Sequence, residues 1–266
     1  MFSKYGSEDT KHIDERSQPS FMVAWSFVEL DDVGSTQTIA KGLAAKGAPE
    51  GTTVVAKSQS SGEGRLGRSW VSPTGGLYMS FVLRPEGISK PELIALVTAV
   101  AVVDGIKQDT GLDTAIRWPN DIMAGGKKLA GVIAEAQSYK QKITQVVVGV
   151  GVNCNAPVSN AELGKEATSL AEELGKQFEI SELKHSILDS FSQLYERWRA
   201  GENMMPLWKE YVATVAKPVS IKLKTNETAF SYQAVSIDSE GSLLVTKDGK
   251  QTIVRAEDLE WLREQA

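Results

Sequence analysis

The sequence predicts an α+β fold, a mixed or antiparallel sheet with helices packed on it, followed by a small all-β unit. Three observations carry this. Between residues 115 and 152 strand signals follow one another through hairpin turns without intervening helices, which argues against a doubly wound parallel sheet. Helical periodicity is concentrated in a few segments outside that stretch. Beyond Pro218 the chain alternates short strands with turns over about 50 residues, the pattern of a small β-barrel. The length of 266 residues agrees with about two domains at ~150 residues each. The expected division is a polar tail over 1–24, a main domain over 25–213 and the small β-unit over 214–266.

In chain order, Trp25 to Leu30 reads as a strand running into a turn at Asp31 to Gly34. Ser35 offers an N-cap for a helix through Ala45, which Lys46-Gly47 closes with a cation and a residue tolerant of left-handed backbone. Gly51 to Ala56 is β-branched and strand-like, the glycine-rich stretch Ser60 to Gly76 follows, and Leu77 to Leu83 is strand again. Ser89-Lys90-Pro91-Glu92 is a capping-box sequence opening a helix with Leu93, Leu96, Val97, Val100, Val103 and Ile106 on one face. Ala115 to Trp118, Ile122-Met123, Lys128 to Gln137 and Ile143 to Val152 are strands, with turns at Pro119-Asn120-Asp121 and Gly125-Gly126. Ala167 to Leu174 and Ser181 to Arg199 are helical. The second carries Leu183, Ile187, Leu188, Phe191, Leu194, Tyr195 and Trp198 at core-facing spacing. The small unit contributes strands at Val219 to Leu223, Phe230 to Ile237, Ser242 to Thr246 and Gln251 to Arg255.

Composition narrows the chemistry. A chain 41% hydrophobic and 24% charged builds a globular core, and a net charge of -5 gives no global field for nucleic acid or an anionic membrane. No apolar run approaches the ~18 residues of a membrane span, and the first twenty residues have no apolar signal core. Cys154 is the only cysteine, which excludes an intramolecular disulfide or a cysteine-based zinc site and points to a reducing, cytoplasmic compartment. With only His12 and His185, histidine triads and His-rich metal sites are nearly excluded. Catalysis must rest on Lys, Arg, Asp, Asn and backbone N–H groups.

Gly62-Glu63-Gly64-Arg65-Leu66-Gly67 satisfies G-x-G-x-x-G, but Arg68 to Gly76 does not open a helix, as a dinucleotide site requires. Neither histidine is followed by Arg-Asp, so the protein-kinase reading fails as well. From Lys57 to Arg84 the local charge is +3 in an otherwise acidic chain, so the loop is suited to oxyanions through backbone N–H groups and paired guanidinium donors. The bland reading is a mobile hairpin with solvated charges. Gly149-Val150-Gly151-Val152-Asn153 ends a buried-looking strand, either as a bulge or as bare backbone against which a flat ligand lies. Asn120 and Asp121 are simple turn residues or oxygen ligands to a magnesium ion accompanying nucleotide phosphates. Lys128 leads an apolar alternation, and a partly buried lysine there is costly unless it meets an anion.

Taken together, three segments resemble the biotin protein ligase family, within the wider biotin/lipoate ligase superfamily. They are Gln59-Ser60-Ser61-Gly62-Glu63-Gly64-Arg65-Leu66-Gly67-Arg68-Ser69-Trp70-Val71-Ser72-Pro73, then Arg117-Trp118-Pro119-Asn120-Asp121 with Lys128-Leu129-Ala130-Gly131, then Gly149 to Asn153. The resemblance implies a catalytic domain of the biotin/lipoate ligase type, related to class II synthetases, with an SH3-like barrel at the C-terminus. It implies activation of biotin by MgATP to biotinyl-5′-AMP, then acyl transfer to one lysine of a biotin carboxyl carrier domain. Ser35, Thr36, Gln37, Gln59, Glu63, Gly64, Arg65, Lys128 and Gly131 are then biotin-side residues. Arg68, Trp70, Asn120, Asp121, Lys128, Gly149, Gly151 and Asn153 are nucleotide-side residues, with Asn120 and Asp121 also on the magnesium side. Lys128, Arg65 and Arg68 are the catalytic cations.

Gln37 stands where the family often has Asn, and Glu63 where it often has a basic residue. Family members that double as repressors carry an N-terminal DNA-binding domain, for which the polar leader is too short. Family analogy suggests a homodimer. The competing readings are a lipoate or octanoate ligase with the same adenylation chemistry and, from a different class, a biotin-binding regulator without catalysis. The Gly62 to Arg68 loop favours biotin, and retention of Lys128 with Arg65 and Arg68 argues for catalysis.

Overall fold

A computed structural model describes residues 23–85, 92–139, 142–158 and 166–265. The expected N-terminal tail, apart from its last two residues, and Ser89-Lys90-Pro91 of the capping box lie outside these residues. A seven-stranded sheet is built from β1 (Ser26–Val33), β2 (Thr52–Gln59), β3 (Leu77–Leu83), β4 (Ala115–Arg117), β5 (Asp121–Ala124), β6 (Lys127–Tyr139) and β7 (Lys142–Val152). Its order is β1-β2-β3-β7-β6-β5-β4, with β1 and β2 parallel and every other neighbouring pair antiparallel. This is the mixed α+β arrangement that the run of strands without crossover helices predicts.

Side-chain alternation sorts the helices onto opposite faces of this sheet. Leu77, Met79, Phe81 and Leu83 of β3, with Val146, Val148, Val150 and Val152 of β7, join the large core of α2 (Glu92–Thr110) and α4 (Ile180–Arg199). The stripe expected on α4 enters that core, with Phe191 between Phe81 and Tyr195 at ring-centroid distances of 4.9 and 5.2 Å. Val54, Val82 and Val147 point the other way, onto Ala40 and Ala44 of α1 (Thr36–Ala45). Ser35 caps α1, its hydroxyl accepting from the Thr38 N–H.

Two boundaries differ from expectation. The turn expected from Asp31 does not form there, because parallel pairing of Asp32 with Ser58 and Val33 with Gln59 carries β1 on to Val33. As an exposed edge strand it tolerates charge, and Asp31 pairs with Lys57 at 2.6 Å. The helix expected from Ala167 begins only at Leu170 and forms α3 (Leu170–Leu174). Ala167 instead bridges to Lys128, and Ser169 is the cap. A seven-residue helix not anticipated from the sequence, α5 (Met205–Tyr211), leads toward the C-terminal unit.

That unit is an antiparallel five-stranded sheet of β8 (Pro218–Leu223), β9 (Phe230–Ile237), β10 (Leu243–Lys247), β11 (Lys250–Val254) and β12 (Leu259–Glu264), ordered β11-β10-β9-β8-β12. The last strand was not expected from the sequence.

Candidate active site

The alternation that puts Val147 against α1 also puts Gly149 and Gly151 on the α1 face of β7. Register then assembles a floor around them: Ser80 faces Gly149 across β3, while Ile133 faces Gly149 and Gly131 faces Gly151 across β6. Both readings of the second glycine pair concern space, and the structure favours bare backbone, since pairing runs through both glycines without a bulge. A Cβ on Gly151 would lie 2.6 Å from Trp70 Nε1, and one on Gly149 would lie 2.8 Å from Gln37 Oε1. The missing side chains are what let the Trp70 indole and the Gln37 amide lie against the sheet.

Above this floor is a cleft of about 750 Å³, whose lining draws on the glycine-rich loop, the Arg117 to Asp121 turn, Lys128 and β12. Six cations (Arg65, Arg68, Arg117, Lys128, Lys224, Arg263) and four carboxylates (Glu63, Asp121, Glu166, Glu260) line it, so it is locally basic in an acidic chain. The three resembling segments therefore meet in one place.

Lys128 Nζ lies 2.6 Å from Asp121 Oδ1 and 5.1 Å from the centroid of the Trp70 ring. Asp121 Oδ2 accepts from Arg117 Nη2 at 2.9 Å. Burial acts to raise the Asp121 pKa, but Lys128 and Arg117 outweigh it and hold the carboxyl below its ordinary range. Asn120 is equally occupied, its Oδ1 accepting from Arg65 Nη1 at 3.1 Å and its Nδ2 donating to the Val132 carbonyl. Both Asp121 oxygens and the Asn120 oxygen thus have protein donors. Among the described residues no cluster of three or more His, Cys, Asp or Glu side chains is suited to a metal.

Arg65 and Arg68 reach the C-terminal sheet. Arg65 Nη2 donates to the Ala256 carbonyl at 2.7 Å, and Arg68 Nη2 donates to the Glu260 carbonyl. These hydrogen-bond partners are neutral oxygens, and both arginines line the cleft. Burial, reinforced by the neighbouring Arg68 charge, lowers the Arg65 pKa from its ordinary value, a penalty that an arriving anion would relieve.

At the other end, Gln59 Oε1 accepts from the Thr36 N–H at 2.8 Å and the Thr36 hydroxyl at 3.1 Å, and that hydroxyl lies 2.9 Å from Ser80 Oγ. Gln37 Nε2 donates to Glu135 Oε2 at 2.8 Å and to the Val147 carbonyl at 3.1 Å. Two buried polar atoms stand without hydrogen-bond partners here, the acceptor Gln37 Oε1 and the donor Trp70 Nε1. Such orphans are uncommon in folded proteins and fit groups reserved for a ligand.

Not every expected site residue lines the cleft. The Ser35 hydroxyl caps α1 and donates to Glu63 Oε1 at 2.9 Å. The Asn153 amide donates to the Thr168 carbonyl at 2.9 Å, fixing the segment that leads into α3. Thr36, Gln37, Gln59, Glu63, Gly64, Arg65, Arg68, Trp70, Asn120, Asp121, Lys128, Gly131, Gly149 and Gly151 do line it. Sequence reasoning missed the contribution of β12, where Leu259 to Arg263 form one wall with Lys224. The strands read from the sequence end at Arg255, so this wall was not anticipated.

The sequence profile of the biotin/lipoate A/B protein ligase family matches residues 31–153. The bifunctional ligase/repressor BirA of Bacillus subtilis is 36% identical over 235 residues, covering 85% of this chain and 71% of the relative. A biotin--[acetyl-CoA-carboxylase] ligase of Paracoccus denitrificans is 30% identical over 218 residues, covering 77% and 88%. The chain belongs to the biotin protein ligase family. Among solved ligases of this family, that of Aquifex aeolicus in complex with biotin and ATP superposes with a TM-score of 0.77 at 26% identity, covering 90% of this chain and 99% of the other. The likeness in fold therefore extends beyond the three motifs, over 90% of this chain.

Proposed function

We infer that the protein is an ATP-dependent biotin protein ligase, which joins biotin to AMP and then transfers the biotinyl group to a lysine of a carboxyl carrier domain. The observation that carries this is the meeting of Lys128, Arg65 and Arg68 over a floor of Gly131, Gly149 and Gly151. In the first step a biotin carboxylate oxygen attacks the α-phosphorus of ATP and pyrophosphate leaves. Two anions must approach, so Lys128 between them, with Arg65 and Arg68 beside the phosphates, offsets the repulsion and the charge that grows in the transition state. In the second step the uncharged acceptor amine attacks the acyl carbon, AMP leaves, and the amine gives up a proton.

Thr36, Gln37 and Gln59 face the biotin ring system, where Gln37 Oε1 is free to accept from a ureido N–H. Trp70 packs toward the nucleotide. Magnesium enters with ATP as the substrate complex, with the phosphates as its main ligands. No enzyme nucleophile is required. Burial pushes the Cys154 thiol up to about 12, so it takes no part as a thiolate.

The C-terminal sheet is read as an SH3-like barrel that closes the nucleotide side, and residues 25–213 as the catalytic domain. The other elements of the reading are a cytoplasmic location, a homodimer, and action on protein rather than on nucleic acid. The direct test incubates the chain with biotin, MgATP and a purified carboxyl carrier domain. A single biotinyl adduct on one lysine is expected, disappearing when that lysine is changed to Arg; no adduct would contradict acyl transfer.

A further inference from the structure

Gln37, the second residue of α1, is 2% exposed and lines the cleft. A primary amide has two ends of opposite character, an oxygen that accepts and an NH2 that donates twice, and rotation lets it present either one to a ligand. Two neighbours decide the rotation here. Nε2 donates to Glu135 Oε2 at 2.8 Å and to the Val147 carbonyl at 3.1 Å, and neither partner has a proton to offer in return. Turned over, the amide would set its oxygen against two acceptors and break a charge-assisted hydrogen bond. Oε1, which finds no donor among the described residues, is thereby held over the bare backbone of Gly149, where an added Cβ would lie 2.8 Å from it.

Periodicity explains why these groups meet. Glu135 on β6 pairs with Val147 on β7, so it faces α1 together with Ile133 and Gly131, two and four positions back. Positions 37 and 41 are one turn apart on α1, so Lys41 reaches the same place. Its Nζ lies 3.1 Å from Glu135 Oε2, the oxygen that Gln37 uses, and it aims the carboxylate at the amide. The Val147 carbonyl alone is a single neutral acceptor and holds the amide weakly. Glu135 supplies the charged partner that makes one orientation prevail.

We propose that Glu135 is a specificity-determining residue that acts through Gln37, fixing the amide with its oxygen toward the ligand so that this point of the cleft demands an N–H donor. A cyclic urea meets that demand, whereas a ring oxygen or a dithiolane does not. The identity of the ligand rests on the ligase reading; the orientation of the amide does not. A site built on a buried hydrogen-bonding group rejects an analogue without the matching group far more strongly than an apolar pocket sorts rings by size, because the group is then left unpaired. Glu135 touches Gln37 and not the reacting atoms, so it is a positioning residue. Its side chain is 48% exposed, and replacing it opens no cavity in the core.

The test compares the parent with Glu135→Met and Glu135→Gln on biotin and on the two cyclic carbamates in which one or the other ureido N–H is replaced by a ring oxygen. In the parent, kcat/KM for one carbamate is expected to fall about 100-fold or more below that for biotin. In Glu135→Met that ratio is expected to shrink about tenfold, because the released amide turns to donate to the ring oxygen, while Glu135→Gln keeps an acceptor oxygen and stays near the parent. Loss of a merely structural contact lowers biotin and carbamate alike, so an unchanged ratio in Glu135→Met would overturn the proposal, as would a parent that accepts all three acids equally. Hydrogen exchange of the Gln37 Nε2 protons, followed by NMR, reads the orientation without a substrate and is expected to accelerate about tenfold in Glu135→Met. Equal exchange in the parent and Glu135→Met would likewise count against it. Accelerated exchange alongside a parent that reacts with none of the acids would leave the amide lock standing and overturn the ligase reading instead.

Discussion

Lys128→Ala is expected to slow adenylate formation about 100- to 1000-fold, the range for removing one preorganised charge-stabilising donor from a reaction centre. The side chain enters the cleft between the Trp70 ring and Asp121, and in the proposed reaction it meets both the biotin carboxylate and the α-phosphate. The fold does not depend on it. Asp121 retains Arg117 at 2.9 Å, so its carboxylate is not left unpaired when Lys128 is removed. Lys128→Arg is not expected to restore the rate, because a planar guanidinium cannot replace a compact ammonium between two anions. Single-turnover formation of the adenylate together with a urea unfolding curve separates the two effects. A rate near that of the parent would mean that another group carries the charge.

Gly151→Ala should have the second largest effect, for a steric reason. The backbone there is ordinary strand, so alanine causes no conformational strain. Its Cβ would nevertheless lie 2.6 Å from Trp70 Nε1 and 2.7 Å from Trp70 Cε2, closer than real contacts allow. The indole must shift by roughly 1 Å, a displacement that costs on the order of 100-fold in rate when it misplaces reacting groups. Gly42→Ala is the control: its Cβ meets nothing within 4 Å on exposed α1, and activity should stay unchanged while stability rises by about 0.5–1 kcal/mol. Near-parental kcat/KM in Gly151→Ala would contradict the placement of Trp70 on the floor.

The legible part of the molecule was the part with local signals. Glycine at 149 and 151, the cationic loop from Arg65 to Arg68 and the Lys128 strand all belong to short segments whose residue types already imply close backbone approach and anion contact. The α4 stripe was equally plain, because a helical period writes its buried face into the sequence. The misplaced turn at Asp31 has a different cause: charges on an edge strand look like a turn until its parallel partner is known. Strand β12 broke its alternation because its pairing with β8 shifts register between Leu259 and Trp261. The contacts that join the loop to that sheet were beyond sequence reading, since Arg65 and Ala256 lie 191 positions apart. Asn120 and Asp121 read as turn residues or metal ligands in the sequence, and only the structure shows that their oxygens accept from Arg65, Arg117 and Lys128.

Activation of the biotin carboxylate on ATP is the step proposed for this cleft. Isotope exchange between pyrophosphate and ATP measures that step alone, without an acceptor protein. Exchange is expected to depend on biotin, to be absent with lipoate and to be lost in Lys128→Ala. Exchange supported by lipoate and not by biotin, or none with either acid, would contradict it.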